Sequence, residues 1–449
     1  METTQGGTDN GRGGKEGVHL ERPSSGGWPE LVRFLSDPLT YLPRIARESQ
    51  GPLVPFRLGD LPCTLVVDPE YVQKGLQNED WPPISRGRLT NITNWFLGGL
   101  FVNEGKEHHR QRDDIWKPIL EDPSIPELTA QTADAWVQAW KPGQTLDMFK
   151  ETRALAYAID WKAFTGEDVR STPGLLAALE TGADTLPWLI LPLGKLRWKL
   201  PLPATLRAKR DQALLRKKLT ALIADRRSAG RTDDLLGKMV ARRDTPGSQT
   251  TDDQLFSTVV MYFGADQLHA MFAWTFYLLS QNPEVERRLH AEVDALSGPP
   301  SVEEVRGLAY TRRVLKESMR LMPPVWGFFR ELRSDYLLGD TVIPAGSLMG
   351  FSPWVTQRDA RYWPDPLKFD PDRWLPDAPK AHPMAYFPFS AGPYWCHGGH
   401  LAMIEAVQIT AIIARRWKLR PARNSPPKPI ATWCTEPKGG LPMVLEARG

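Results

Sequence analysis

Hydrophobic positions are sparse at the start of the chain: residues 1–27 are polar and Gly-rich, with no apolar run of the kind a signal peptide carries. They predict a disordered leader. Pro38–Glu48 then has the spacing of a short helix, and Leu53–Arg57 and Cys63–Val67 read as strands around a Gly59–Asp60 turn. From Glu70 to Glu303 the periodicity is mainly helical, interrupted by prolines. Within it, 206–242 alternates apolar and basic positions as a solvated helix pair does. Asp252–Asn282 is hydrophobic almost all round, which predicts a long helix through the core. It nevertheless carries Gly264, Asp266, Gln267 and His269 at its middle. Buried polar groups cost free energy unless they are paired or used, so this helix is where chemistry is expected. Residues 301–321 hold further helix up to Pro323–Pro324, followed by short strands and Pro-rich loops as far as Phe389. A final helix is expected from Gly398 to about Trp417, with β-like runs after it. No repeat and no shift in composition divides the chain. The pattern predicts a mainly α protein, one large helical domain over 28–449 with small β-sheets.

Composition narrows the classes of function. Over 449 residues, 56 Lys+Arg face 53 Asp+Glu, a formal charge of +3 that gives no electrostatic case for nucleic acid. Three cysteines, Cys63, Cys396 and Cys434, are too few and too dispersed for a disulfide scaffold or a four-cysteine zinc site. The most apolar stretches, Thr185–Gly194 and Val259–Ala265, fall short of the ~20 residues that span a bilayer. A cytoplasmic protein without a membrane span is expected. The 17 Trp and 41 Pro suggest rigid turns and aromatic-lined cavities.

The stretch Phe387–Glu405, FPFSAGPYWCHGGHLAMIE, sets a cysteine between Gly-containing turns just before an apolar helix. That arrangement suits a metal thiolate: helix N-terminal amides stabilise negative charge and lower a cysteine pKa. Glycines there let the backbone approach a flat cofactor closely. The alternative for Cys396 is a buried structural thiol. In a chain of this composition, the fixed positions Phe389, Gly392, Cys396 and Gly398 arise together by chance about 10⁻³ times.

This spacing resembles the haem-thiolate loop of the cytochrome P-450 family, and further motifs follow in the family's order from about residue 30 onward. Glu317 and Arg320 alone mean little, because Glu-x-x-Arg recurs at Glu167/Arg170, Glu284/Arg287 and Glu303/Arg306. Their context is informative. Pro323–Pro324, Arg330, Ile343–Gly346 and Phe369–Trp374 follow as in the family's K-helix, strands and arginine motif. The resemblance implies a buried network of Glu317, Arg320 and Arg373 that holds the cysteine loop. Gly105–Arg112 is similar to the C-helix, which implies that His108 and Arg112, four residues apart on one face, bind haem propionates. Arg330 is implied to bind the other propionate. The cofactor implied is heme b, with Cys396 as its axial thiolate and metal ligand and Phe389 against it.

Two departures stand out. Aligned by Trp274 and Tyr277–Leu279, Phe263–Leu268 occupies the place of the family's Ala-Gly-x-Asp-Thr-Thr core. Gly264 keeps the oxygen notch and Asp266 the acid, but Gln267 replaces the threonine that relays a proton. A carboxamide has no readily exchanged acidic proton. Three routes remain open: water or a substrate hydroxyl replaces the threonine, the reaction needs only hydrogen abstraction, or little oxygen activation occurs. Phe263 in place of alanine is expected to narrow the space above the haem. Tyr394 replaces a basic residue two positions before the cysteine, leaving one neutral hydrogen bond to a propionate. His397 and His400 read as surface or propionate-adjacent groups.

The implied activity is that of a haem-thiolate monooxygenase-type oxidoreductase, oxidising an apolar, terpenoid-like secondary metabolite with O2. No flavin or iron–sulfur motif is visible, so electrons are expected from a separate ferredoxin and ferredoxin reductase, docking near Lys106 and Arg110 on a monomeric chain. Most side chains of Trp81–Phe101 and of Trp188, Leu189 and Trp198 read as ordinary core, although loops at these places line the pocket in the family. The rival readings are oxidative C–C or C–N coupling of a Trp- or Tyr-derived substrate, and a non-catalytic haem binder.

Overall fold

The computed structural model describes residues 18–19, 27–49, 51–77, 84–85, 104–190, 194–265 and 267–448. Most of the expected leader, and all of Trp81–Phe101 except Ile84–Ser85, lie outside them. Within the leader, Val18–His19 pairs in parallel with Thr341–Val342, so this part is ordered against a sheet.

The architecture is helical with small sheets, as the periodicity predicts. Met148–Thr165 shows why: its buried residues run round the whole helix. Phe149, Leu155 and Ile159 face one core, shared with the helices Ser124–Gln138, Leu268–Gln281, Ala309–Leu321 and Gly399–Arg416. Tyr157, Trp161 and Phe164 face a second core, shared with Pro203–Ala229, Leu235–Arg243 and Asp252–Ala265. A helix apolar on every side can be satisfied only between two such layers.

A five-stranded sheet runs Leu53–Leu58, Leu61–Val66, Leu348–Phe351, Phe328–Leu332, Ile84–Ser85. Its alternation separates two apolar clusters: Leu53 and Val66 face Met349 and Phe351, while Val54, Phe56, Cys63 and Leu65 face the helix Pro38–Ser49. Successive strand side chains point to opposite faces, so one hairpin supplies both. Phe328–Leu332 pairs antiparallel with Leu348–Phe351 and thereby fixes where Arg330 sits.

Three expected helices differ. The 206–242 pair begins earlier, at Pro203, and is not fully solvated: buried Arg226 bonds Asp234 at 2.7 Å and the Thr165 carbonyl at 2.6 Å. The 301–321 helix is two helices, Val302–Gly307 and Ala309–Leu321, meeting at Leu308. Asp252–Asn282 is also two, Asp252–Ala265 and Leu268–Gln281. Gln267 stands at that break with non-helical dihedrals (φ −117°, ψ 11°), and its side-chain Nε2 donates to the Trp433 carbonyl at 3.4 Å. The carboxamide finds its partner outside the helix, on the C-terminal hairpin.

Glu317 and Arg320, both fully buried, form an ion pair of 2.8 Å. Glu317 also accepts from Arg373 Nε at 3.3 Å, Trp374 Nε1 at 3.0 Å and the Asp370 amide at 3.1 Å. Arg320 donates to the carbonyls of Gln357, Pro366 and Lys368. A buried pair survives desolvation only when its remaining donors and acceptors are filled, and here they are. Glu317→Ala is expected to cost ~3–5 kcal/mol by leaving Arg320 and Arg373 uncompensated. Urea denaturation followed by circular dichroism checks this; a loss below about 1 kcal/mol would contradict the network's role.

Candidate active site: the cysteine loop and its neighbours

The cysteine loop is shaped by backbone geometry. Ser390 has φ +62° and Gly392 φ +68°, both left-handed. A Cβ on Gly392 would stand 1.9 Å from the Leu76 carbonyl oxygen, so only glycine fits. The Cys396 amide closes the loop by donating to the Phe389 carbonyl at 2.9 Å, and the Gly399 amide donates to the Cys396 carbonyl at 3.0 Å. From Gly399 an 18-residue helix runs to Arg416. Phe389 packs half-buried against the helical core.

Among the three cysteines, Cys63 and Cys434 are buried and Cys396 is exposed. Burial pushes the Cys63 thiol up to about 12. Cys434 packs with its sulfur 3.7 Å from His269 Nε2. Burial also raises the Cys396 thiol pKa, while the amides of Gly398 and Gly399 pull it down.

Two of the expected donors, His108 and Arg330, gather around Tyr394, two residues before Cys396. His108 is buried, with its ring 4.6 Å from that of Tyr394 and 5.5 Å from that of His397. Arg330 lies 5.8 Å from the Tyr394 ring and 4.8 Å from Phe328. Its guanidinium donates to the Phe329 carbonyl at 3.0 Å and has no carboxylate within 4.0 Å among the described residues. Burial depresses its pKa to about 10, an energetic cost to the charge that nearby Tyr394 and Glu104 partly offset. Arg112 begins a wider helical turn, Arg112–Trp116, half-exposed and 3.8 Å from Asp113.

Other expectations fare differently. Asp266 lies outside the described residues, as do the side chains of Trp188 and Leu189, while Gly264 sits in the last turn of Asp252–Ala265. Phe263 is buried among Tyr157, Trp161 and Phe164, so the aromatic cluster of Met148–Thr165 absorbs its bulk. Trp198 is buried, with Lys209 over its ring. Arg110 is tied to Glu107 at 2.6 Å, while Lys106 is exposed and has no ion pair among the described residues.

Two residues that motif reading missed connect these parts. Gln357, fully buried, donates from Nε2 to the Met319 and Arg320 carbonyls and accepts from the Phe387 amide at 3.0 Å. It thus couples the charge network to the start of the cysteine loop. Trp326 donates to the Thr432 carbonyl at 3.0 Å and, through its own carbonyl, accepts from Ser352 at 2.7 Å. The strand bearing Arg330 is therefore joined to the C-terminal hairpin that holds Gln267. Neither link has a spacing signature, because both run through main-chain carbonyls.

This fold and loop define a known class. A family model described as cytochrome P450 matches residues 28–442. Cyclooctat-9-en-7-ol 5-monooxygenase of Streptomyces melanosporofaciens is 34% identical over 426 residues, covering 92% of this chain and 91% of that protein. Pentalenene oxygenase of Streptomyces avermitilis is 30% identical over 432 residues, covering 93% and 94%. The solved haem domain of cytochrome P450DA superposes with a TM-score of 0.84 at 21% identity, covering 96% of this chain and 98% of that one, a likeness of fold. The chain belongs to the cytochrome P450 family. It is a monooxygenase-type oxidoreductase that binds haem through a cysteine thiolate. The residues present fit that cofactor: an exposed thiol faced by two amides, and a guanidinium near Tyr394 with no carboxylate within 4.0 Å among the described residues, suit an iron centre carrying anionic side groups. No helix among the described residues is long and apolar enough to cross a membrane.

Gly392→Ala is expected to lose at least about 2 kcal/mol through strain and collision with Leu76. The ratio of Soret to protein absorbance should fall with it. A variant that matches the parent in both would show that the loop has another way to turn.

Proposed function

We propose that Cys396 is the axial thiolate of a heme b, that Arg330, His108, Arg112 and Tyr394 hold its carboxylates, and that Phe389 packs against the loop beneath it. The observation that carries this reading is the contrast among the cysteines: two are packed into the core, and one is exposed two residues after Tyr394, against whose ring His108 and Arg330 stand. When bound, a thiolate-ligated haem supplies the activation of dioxygen and cleavage of its O–O bond. The protein's part is to keep Cys396 against the Gly398 and Gly399 amides, to neutralise carboxylates with Arg330, and to shape the apolar side with the two helices meeting at Gln267. Gly264 and Asp266 are the further catalytic candidates, beside Gln267 in the sequence.

The substrate reading is an apolar, terpenoid-like secondary metabolite. Relatives named for cyclooctat-9-en-7-ol and pentalenene support it. Electrons come from a separate ferredoxin and its reductase, with residues 28–449 acting as one catalytic domain in the cytoplasm. Gln267, which has no acidic proton to pass on, favours one second reading, oxidative coupling without net oxygen insertion.

Two measurements test this. Cys396→Ala should abolish the thiolate-type carbon monoxide spectrum, whereas Cys434→Ala should retain it; the reverse result would reassign the ligand. Titration of the ferric protein with terpenes, aromatic cyclodipeptides and polyketides should move the Soret band from low to high spin with terpenes. A shift with the cyclodipeptides instead would favour the coupling reading.

A further inference from the structure

Exposed apolar side chains are unevenly spread over the surface. Among the described residues nine large ones stand out to solvent, and four of them, Leu196, Leu200, Leu202 and Leu206, share one corner of the chain at 38–54% exposure. That corner joins the short helix Gly194–Lys199 to the start of Pro203–Ala229. It is tied together from inside: Thr205 Oγ1 donates to the Arg197 carbonyl at 3.3 Å, and Lys209 stands 5.6 Å over the Trp198 ring. Trp198 and Thr205 are buried and mark the inward side. Leu196 and Leu200 lie two positions either side of Trp198, and the Leu200 amide continues the turn to the Arg197 carbonyl at 3.1 Å. Two residues are more than half a helical turn, so both leucines point away from the tryptophan. Leu202 and Leu206, four apart and joined by the first hydrogen bond of the longer helix, share one side of it. Single exposed leucines are ordinary, whereas a cluster of four marks a contact surface. Its charge is equally one-sided. From 194 to 218 the sequence holds nine Lys or Arg and one acid, Asp211, which is buried and shared by Arg207 and Arg210. Lys199, within the corner, is exposed and has no ion pair among the described residues. Lys209 and Arg210 emerge one turn after Leu206, on its side of the helix.

We infer that the corner 194–210 docks the protein on the surface of an anionic phospholipid bilayer, with its four leucines in the interface and Lys199, Lys209 and Arg210 at the lipid phosphates. Apolar side chains rimmed by long cationic ones are what such a surface accepts: the leucines reach the acyl boundary while the ammonium and guanidinium groups stay among the headgroups. Each cation close to an anionic surface adds to the attraction, and salt weakens it. A second copy of the chain would cover the leucines but bring two sets of like charge together. The contact is peripheral and needs no spanning helix. It stands whichever substrate reading holds.

The test uses the haem-loaded full chain with vesicles of phosphatidylcholine, alone or mixed equally with phosphatidylglycerol. In sedimentation the protein should partition at least about tenfold more strongly onto the mixed vesicles, and added salt should reduce this. Leu196→Ser/Leu206→Ser, which alters only exposed side chains, should weaken that partition about tenfold while the carbon monoxide spectrum stays normal. Hydrogen exchange of the parent protein should show protection within 194–210 when mixed vesicles are added, a reading that needs no variant to fold. Failure to partition onto the mixed vesicles at low salt overturns the inference, as does undiminished partition of the leucine variant. Protection confined to 27–36, where exposed Trp28, Val32 and Leu35 form another apolar stripe, also overturns it by moving the contact elsewhere. A concentration-dependent dimer that the leucine variant abolishes, without vesicle binding, overturns it by giving the corner to a second copy.

Discussion

The arrangement of the site depends on one buried ion pair. Glu317 and Arg320 lie on adjacent turns of Ala309–Leu321 with no exposure, and each fills its remaining valences from chain segments far away in sequence. Arg320 gathers the carbonyls of Gln357, Pro366 and Lys368; Glu317 gathers Arg373, Trp374 and the Asp370 amide. Such a pair contributes little net stability relative to an apolar substitute, but it tolerates very few arrangements of its neighbours. The long Pro-rich run before the cysteine has little regular structure to define its path. The ion pair and Gln357 define it instead, delivering Phe387 to the start of the cysteine loop.

The second layer of organisation is local strain. Ser390 and Gly392 turn the chain in the left-handed region, and the amides that follow close on Cys396. Strain of this kind persists only where surrounding contacts over-determine it. The network supplies them from one side and the Gly399–Arg416 helix from the other. The thiol is left open while Cys63 and Cys434 are sealed, so chemical identity alone does not separate the three; position in the fold does.

Much of this was legible in the sequence. The helices Pro38–Ser49 and Gly399–Arg416 and the first hairpin follow directly from hydrophobic spacing, and the cysteine loop from its glycines. The interruption of Asp252–Asn282 was not, although its cause, the polar run through Gln267, was visible as a cluster in an apolar helix. Periodicity records which faces are apolar, not whether a carboxamide will prefer a distant carbonyl to its own helix. Phe263 shows the same limit: its size suggested a constriction, yet the deciding fact is the aromatic cluster supplied by Tyr157, Trp161 and Phe164 from another helix. Gln357 and Trp326 escaped notice because their partners are main-chain atoms, which every residue type possesses.

The clamp between Gln267 and the hairpin has a bearing on how this enzyme can diverge. Its far end is the Trp433 carbonyl, an atom that no codon change at that position removes. The tether itself is therefore indifferent to which side chain the hairpin tip carries, and a change of residue there reaches the helix break only through the path of the main chain.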